Sequence, residues 1–287
     1  MSDLSRLGFW LSRKKLPTDP AEVRAVGAQL DELGVASLWL GTSPPADLAE
    51  VELLLDGSER LRVGTSITNI WFADPAELAA SSARVARKHP GRGIVGIGIG
   101  HAPSTIESGQ EYVKPLARLT SYLDALDAAP EPVPPTARML AALGPKTLAL
   151  AASRTAGSLP YLTTPEHTAR ARAILGPGAL LVPEHAVVID TEAPAARDKA
   201  RAFLRTYLAL PNYVSTWLSL GFTEDDIAHG GSDRLVDALV LHGSIDDIVR
   251  RLREHLEAGA DEVAAQPVGI DGVPTRDWRD LAAAFAS

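Results

Sequence analysis

Short, nearly unbroken apolar runs alternate along this chain with stretches in which apolar residues return every three or four positions. The runs fall at Leu7–Leu11, Val35–Gly41, Arg62–Thr68 and Gly93–Ile99, then at Arg138–Ala142, Ser158–Leu162, Leu180–Ile189 and Glu262–Val268. Continuous rather than alternating hydrophobicity is the mark of parallel strands covered on both faces. The intervening stretches read as amphipathic helices with explicit start signals. Asp19-Pro20-Ala21-Glu22 and Asp74-Pro75-Ala76-Glu77 each place an Asp cap, a Pro at the first helical position and a Glu able to reach back. Ser244-Ile245-Asp246-Asp247 and Thr223-Glu224-Asp225-Asp226 are further starts, and Gly34 and Gly259 stand where a helix must end in a left-handed residue.

The joints Leu33–Leu38 and Ala258–Val263 resemble each other near opposite ends of the chain, which suits a last strand closing against the first. Eight strands in this length predict an α/β fold, a single (β/α)8 TIM barrel over residues 1–287, since such barrels need roughly 250 residues. A doubly wound open sheet would place a glycine-rich turn after its first strand, and Ser12-Arg13-Lys14-Lys15 stands there instead. Two regions exceed a minimal barrel. Ala128–Thr136, rich in Pro and Ala, reads as a linker, and residues 210–240 read as a helical insertion expected over the barrel mouth.

Charge and composition narrow the function. With 28 basic against 36 acidic residues the formal charge is −8, which argues against a nucleic-acid or anionic-membrane partner. There is no cysteine, so no disulfide, thiolate nucleophile or Cys-ligated metal, and a cytoplasmic location is expected. Met1–Arg6 carries no apolar signal region, and no stretch approaches the ~18 apolar residues of a membrane span. No His-Glu-x-x-His, close His pair or carboxylate-rich loop suggests a metal, and no Gly-x-Ser-x-Gly elbow or Walker loop is present.

The remaining candidates cluster at strand ends. Gly96-Ile97-Gly98-Ile99-Gly100 has the wrong spacing for a nucleotide fingerprint; its small residues either pack the barrel interior or let a ligand approach the backbone. Gly64-Thr65-Ser66-Ile67-Thr68-Asn69 gives the third strand a polar end. Trp10, Trp39 and Trp71 fall at or beyond the first three strand ends, where each is either core or part of an aromatic wall for a planar ligand. His101 follows the fourth strand directly and is either a loop histidine or a proton donor or acceptor. His167 opens a helix, whereas His89, His185, His229, His242 and His255 read as surface or structural.

At these residues the chain resembles a family. Arg62–Asn69, Asp74-Pro75-Ala76 and Gly91–Gly98, with Leu140–Lys146, Pro160–Thr168 and Gly230–Val236, are similar to the luciferase-like monooxygenase superfamily, and more narrowly to its coenzyme F-420-dependent oxidoreductases. The resemblance runs over nearly the whole chain, and it is the order and spacing of the motifs that make it specific. It implies a deazaflavin in the C-terminal mouth of the barrel and a non-proline cis peptide at Ser66–Ile67 supporting the ring. It also implies cofactor contacts from Ser66, Ile67, Thr68, Ile99, Gly100, His101, Ala141, Ala142, Leu143 and Gly144, and a homodimer. The substrate is then expected against Trp10, Trp39, Thr42, Trp71 and Thr163.

The sequence departs from the family where many members carry an Asp-His pair after the second strand; Thr42 and Ser43 stand there, His101 replaces an acid after the fourth strand, and Glu166 replaces a phosphate-binding Lys. Sugar-phosphate oxidation is not expected, and His101 becomes the proton-handling residue. The expected activity is hydride transfer between F-420 and a small organic substrate. The alternatives are an FMN-dependent monooxygenase on the same barrel and a catalytically degenerate cofactor-binding protein.

Overall fold

The computed structural model of the protein describes residues 6–287, so Met1–Ser5 of the N-terminal stretch lie outside the described residues. Its strands are β1 (Leu7–Ser12), β2 (Ser37–Gly41), β3 (Arg62–Thr65), β4 (Thr68–Asn69), β5 (Gly93–Gly98) and β6 (Arg138–Leu140). They continue as β7 (Gly157–Ser158), β8 (Leu180–Leu181), β9 (Glu184–Ile189), β10 (Val240–Gly243) and β11 (Val263–Pro267). Neighbouring strands pair in parallel in the order β10-β9-β11-β1-β2-β3-β5-β6-β7-β8, with β4 also on β5.

The ring closes through the run Leu180–Ile189. On one edge Val182 N donates to Ser158 O (3.0 Å) and Glu184 N to Pro160 O (2.8 Å). On the other edge Ala264 N donates to Pro183 O (2.9 Å) and Val268 N to Val187 O (3.0 Å). The expected run therefore splits at Pro183, which has no N–H to give a ladder but still offers its carbonyl. Pro160 has the same effect on Ser158–Leu162, of which only the first residue belongs to a strand. Arg62–Thr68 divides at Ser66–Ile67, where the peptide is cis. A further strand, β10, escaped the sequence reading: it begins at the last residue of the expected insertion and pairs with the outer half of β9, Val240 opposite Ala186.

Both strand faces are buried, as the apolar runs require. Along β1, Leu7, Phe9 and Leu11 face the helix layer, where Phe9 stacks on Trp278 with ring centroids 5.5 Å apart. Trp10 faces the barrel interior with Trp39, Ile94, Met139 and Leu159. The two indoles fit because each lies over a glycine of the next strand. A Cβ on Gly41 would sit 1.7 Å from the Trp10 ring, and one on Gly64 would sit 2.4 Å from Trp39. At the closed end, Glu262 accepts from Ser37 Oγ, from Trp39 Nε1 (3.3 Å) and from Arg62 Nη2 (2.6 Å), tying β11 to β2 and β3.

The helix signals correspond to observed caps. Asp19 Oδ1 accepts from Ala21 N (2.9 Å), Asp74 Oδ1 from Ala76 N (2.9 Å) and Glu77 N (3.0 Å), and Gly34 has φ 73°. The reciprocal capping pair expected there is found at a different helix, Glu224–Ile227, between Thr223 and Asp226. Among the described residues no helix is long and apolar enough to cross a membrane.

Candidate functional site

The C-terminal strand ends open into a cavity of about 510 Å³. Three segments build one side. Between β3 and β4, Ser66 N donates to Leu40 O (2.6 Å), and Ser66 and Ile67 present the cis peptide to the cavity. After β5 come Gly98, Ile99, Gly100 and His101. A Cβ on Gly98 would stand 2.7 Å from the Ile67 side chain, and Gly100 has φ 64° against the Asn69 side chain. These glycines therefore let strand ends meet as well as exposing backbone to the cavity. After β6, Ala141 N donates to Ile97 O (2.9 Å), and Ala141–Gly144 lead into the helix Pro145–Arg154, whose first turn adds Thr147. His167 braces that loop from behind: it is buried, and its Nε2 donates to Leu143 O (2.9 Å).

The opposite side is aromatic. Trp10 lies 5.4 Å from Tyr161, Tyr161 5.6 Å from Tyr207, and Tyr207 5.3 Å from Tyr213 between ring centroids. His101 packs against this wall, 5.7 Å from Tyr213 and 6.5 Å from Tyr207. Tyr161 donates to Gln266 Oε1 (2.9 Å), so in the 3.0 Å contact between the two hydroxyls Tyr207 is the donor. Burial raises the pKa of all three phenols, so they stay protonated at neutral pH. Burial likewise lowers the His101 pKa, so the imidazole is neutral there, with Nδ1 buried and without a protein partner.

At the end of β2, Thr42 and Ser43 line the cavity with φ of 66° and 49°. Two successive non-glycine residues in the left-handed region are costly by about 1–3 kcal/mol each and concentrate at functional sites. Ser12 and Thr42 share a hydroxyl–hydroxyl bond of 2.7 Å that holds this turn.

The cavity thus gathers Trp10, Thr42, Ser66, Ile67, Ile99, Gly100, His101 and Ala141–Gly144 from the sequence expectation. Four other residues lie outside its lining. Thr68 and Thr163 are fully buried behind it. Trp39 points to the closed end, with its indole on Glu262. Trp71 donates Nε1 to Ile99 O (2.8 Å) and packs 5.5 Å from Tyr112, supporting the mouth from outside. The wall of three tryptophans is therefore corrected to one tryptophan and a set of tyrosines, because register puts Trp39 beside Trp10 but over Gly64.

The expected insertion does cover the mouth. Its helix Pro211–Ser219 contributes Asn212, Tyr213, Ser215 and Thr216, with Tyr207 just before it. These residues and Tyr161 were missed as site residues. The sequence carried no signal for them: that Tyr112, Tyr161, Tyr207 and Tyr213, four of the five tyrosines, line the cavity emerges only once the chain is folded.

Comparison with known proteins places this geometry. The profile described as luciferase-like monooxygenase matches residues 2–262. A Mycobacterium tuberculosis protein named as a coenzyme F-420-dependent oxidoreductase is 26% identical, with 97% of each chain covered. Among solved structures, the F-420-dependent tetrahydromethanopterin reductase of Methanopyrus kandleri superposes with TM-score 0.73 at 15% identity, covering 96% of this chain and 97% of that one. The oxygenating component of 3,6-diketocamphane monooxygenase from Pseudomonas putida, in complex with FMN, superposes with TM-score 0.67 at 14% identity, covering 98% and 97%.

Proposed function

Because the chain belongs to the luciferase-like monooxygenase family, we propose that it is a coenzyme F-420-dependent oxidoreductase that transfers hydride to or from a small organic substrate bound in the mouth cavity. The observation that carries this reading is the convergence of Ser66–Ile67, Gly98–His101 and Ala141–Gly144 on one side of a single cavity. Gly98 and Gly100 bring the end of β5 to the cavity by making room for the Ile67 and Asn69 side chains. The helix Pro145–Arg154 directs its N-terminus at the same cavity, where Thr147 and free backbone N–H groups suit the cofactor phosphate. The family relationship to the mycobacterial protein supports the choice of deazaflavin.

When bound, the deazaflavin supplies the hydride-exchanging carbon. The protein's own residues do the rest. The aromatic wall of Trp10, Tyr161, Tyr207 and Tyr213 positions the substrate and excludes water. His101, neutral through burial, takes the substrate proton in the oxidising direction and returns it in the reducing one.

A second reading is an FMN-dependent monooxygenase, which the FMN-bound neighbour from Pseudomonas putida keeps in view. Titrating the purified protein with F-420 and separately with FMN, followed by tryptophan fluorescence, decides between them, since Trp10 lines the cavity and Trp71 abuts it. Tight binding of F-420 with weak binding of FMN is the expected result. The reverse preference overturns the deazaflavin reading, and binding of neither favours a barrel that has lost its cofactor.

A further inference from the structure

Among the described residues, every side chain that lines the mouth cavity is uncharged. The titratable groups among them are His101 and the tyrosines, and burial holds each in its neutral form. Behind the wall, Glu184 is fully buried, with Oε2 accepting from Leu162 N (3.0 Å) and burial favouring the protonated carboxyl. A ligand carrying a carboxylate, phosphate or ammonium on the wall side of this cavity would surrender hydration with no counter-ion to receive it.

The wall also has a hydrogen-bonding polarity. Tyr161 spends its proton on Gln266 Oε1 and Tyr207 spends its proton on Tyr161, so the Tyr207 oxygen keeps acceptor capacity alone. A neutral His101 beside it, 6.5 Å between ring centroids, carries one acceptor and one donor nitrogen. Tyr207 is thus the wall hydroxyl whose own proton is already committed, and a ligand hydroxyl can donate to it.

We propose that the substrate of this cavity is an uncharged hydroxyl-bearing hydrocarbon, with an apolar ring or chain against Trp10 and Tyr213 and its hydroxyl donated toward Tyr207 and His101. The proposal takes the cavity as the substrate site of the preceding section, but its recognition chemistry does not depend on which cofactor is bound.

The test is equilibrium binding, by calorimetry or tryptophan quenching, of three matched probes with and without F-420: benzyl alcohol, benzyl methyl ether and 4-(hydroxymethyl)benzoate. The alcohol is expected to bind about threefold to tenfold tighter than the ether, the worth of one net hydrogen bond. It is expected to bind at least ~100-fold tighter than the carboxylate, because of the unpaired buried charge. In Tyr207→Phe the preference for alcohol over ether should shrink toward unity while the discrimination against the carboxylate persists. Binding of benzyl alcohol no tighter than either mate, including no binding at all, overturns the proposal. Failure of F-420 itself to bind, with the probe preferences intact, sinks the cofactor reading and leaves this one standing.

Discussion

His101 earns its place by environment: it follows β5 directly, packs against Tyr207 and Tyr213, and stays neutral because burial disfavours its charged form. Replacing it with Asn should lower kcat/KM by about 100-fold or more, the usual worth of a positioned acid or base, while F-420 affinity holds. Full activity in that variant would remove it from the chemistry. Gly41 tests the wall. In Gly41→Ala the new methyl would occupy the Trp10 indole's position, so the ring must tilt into the cavity. A loss of about 1–3 kcal/mol in denaturant unfolding is expected, with weaker ligand binding alongside. At this scale the family resemblance was the guide: Ser66–Ile67, Ile99–His101 and Ala141–Gly144, the residues it implied, all line the cavity. Trp39 and Trp71 were not, because sequence order gives a residue's strand end and not the direction in which a side chain leans.

One strand and one helix hold a set of buried titratable groups. On β9, His185 Nδ1 lies 2.7 Å from His255 Nε2 of the helix Ile245–Glu257, and His255 Nδ1 lies 2.8 Å from Thr168 Oγ1. Burial pushes both imidazoles down, His255 to about 3. Since unfolded histidine titrates near ~6.5, the unfolded chain gains protons first, and stability should fall as pH drops from about 6.5 toward 3. Glu184, the neighbouring residue, works at the other limb. Burial raises it to about 8, so between its ordinary value of about 4.5 and 8 the folded state holds a proton that the unfolded chain releases. Stability from this group should therefore decline across that interval as pH rises. Thermal midpoints measured over pH should show both slopes, and Glu184→Gln should flatten the alkaline one alone; an unchanged alkaline limb would mean the carboxyl is ionised in the folded protein. The burial of these groups was not legible, since His185 and His255 read as surface or structural, and neither were the element boundaries. Pro183 and Pro160 were visible in the sequence, but whether a proline ends a strand or merely skips one ladder bond depends on its partner. Val240–Gly243 is four residues at the tail of a helix, too short for periodicity to separate from it.

For the whole molecule, Glu262 is the clasp under the barrel. It is buried, and it gathers Ser37, Trp39 and Arg62 from strands far away in sequence. Glu262→Ala leaves the buried Ser37 hydroxyl and Trp39 indole without their acceptor, and about 1–3 kcal/mol of stability should go with it. A denaturant midpoint equal to that of the unaltered protein would show that the clasp is incidental to closure. The barrel itself was the most legible level, because eight buried runs with helices between them leave few other architectures.

The position of β11 has one more consequence. It lies between β1 and β9, so each has an unpaired edge until the residues up to Pro267 are present. On a ribosome adding about 5–20 residues per second, β1 therefore waits on the order of ten seconds or more with that flank open. For that interval the nascent chain offers bare backbone to any strand nearby. Its yield in a cell should thus depend on holdase chaperones that shield the flank, far more than the stability of the finished ring would suggest.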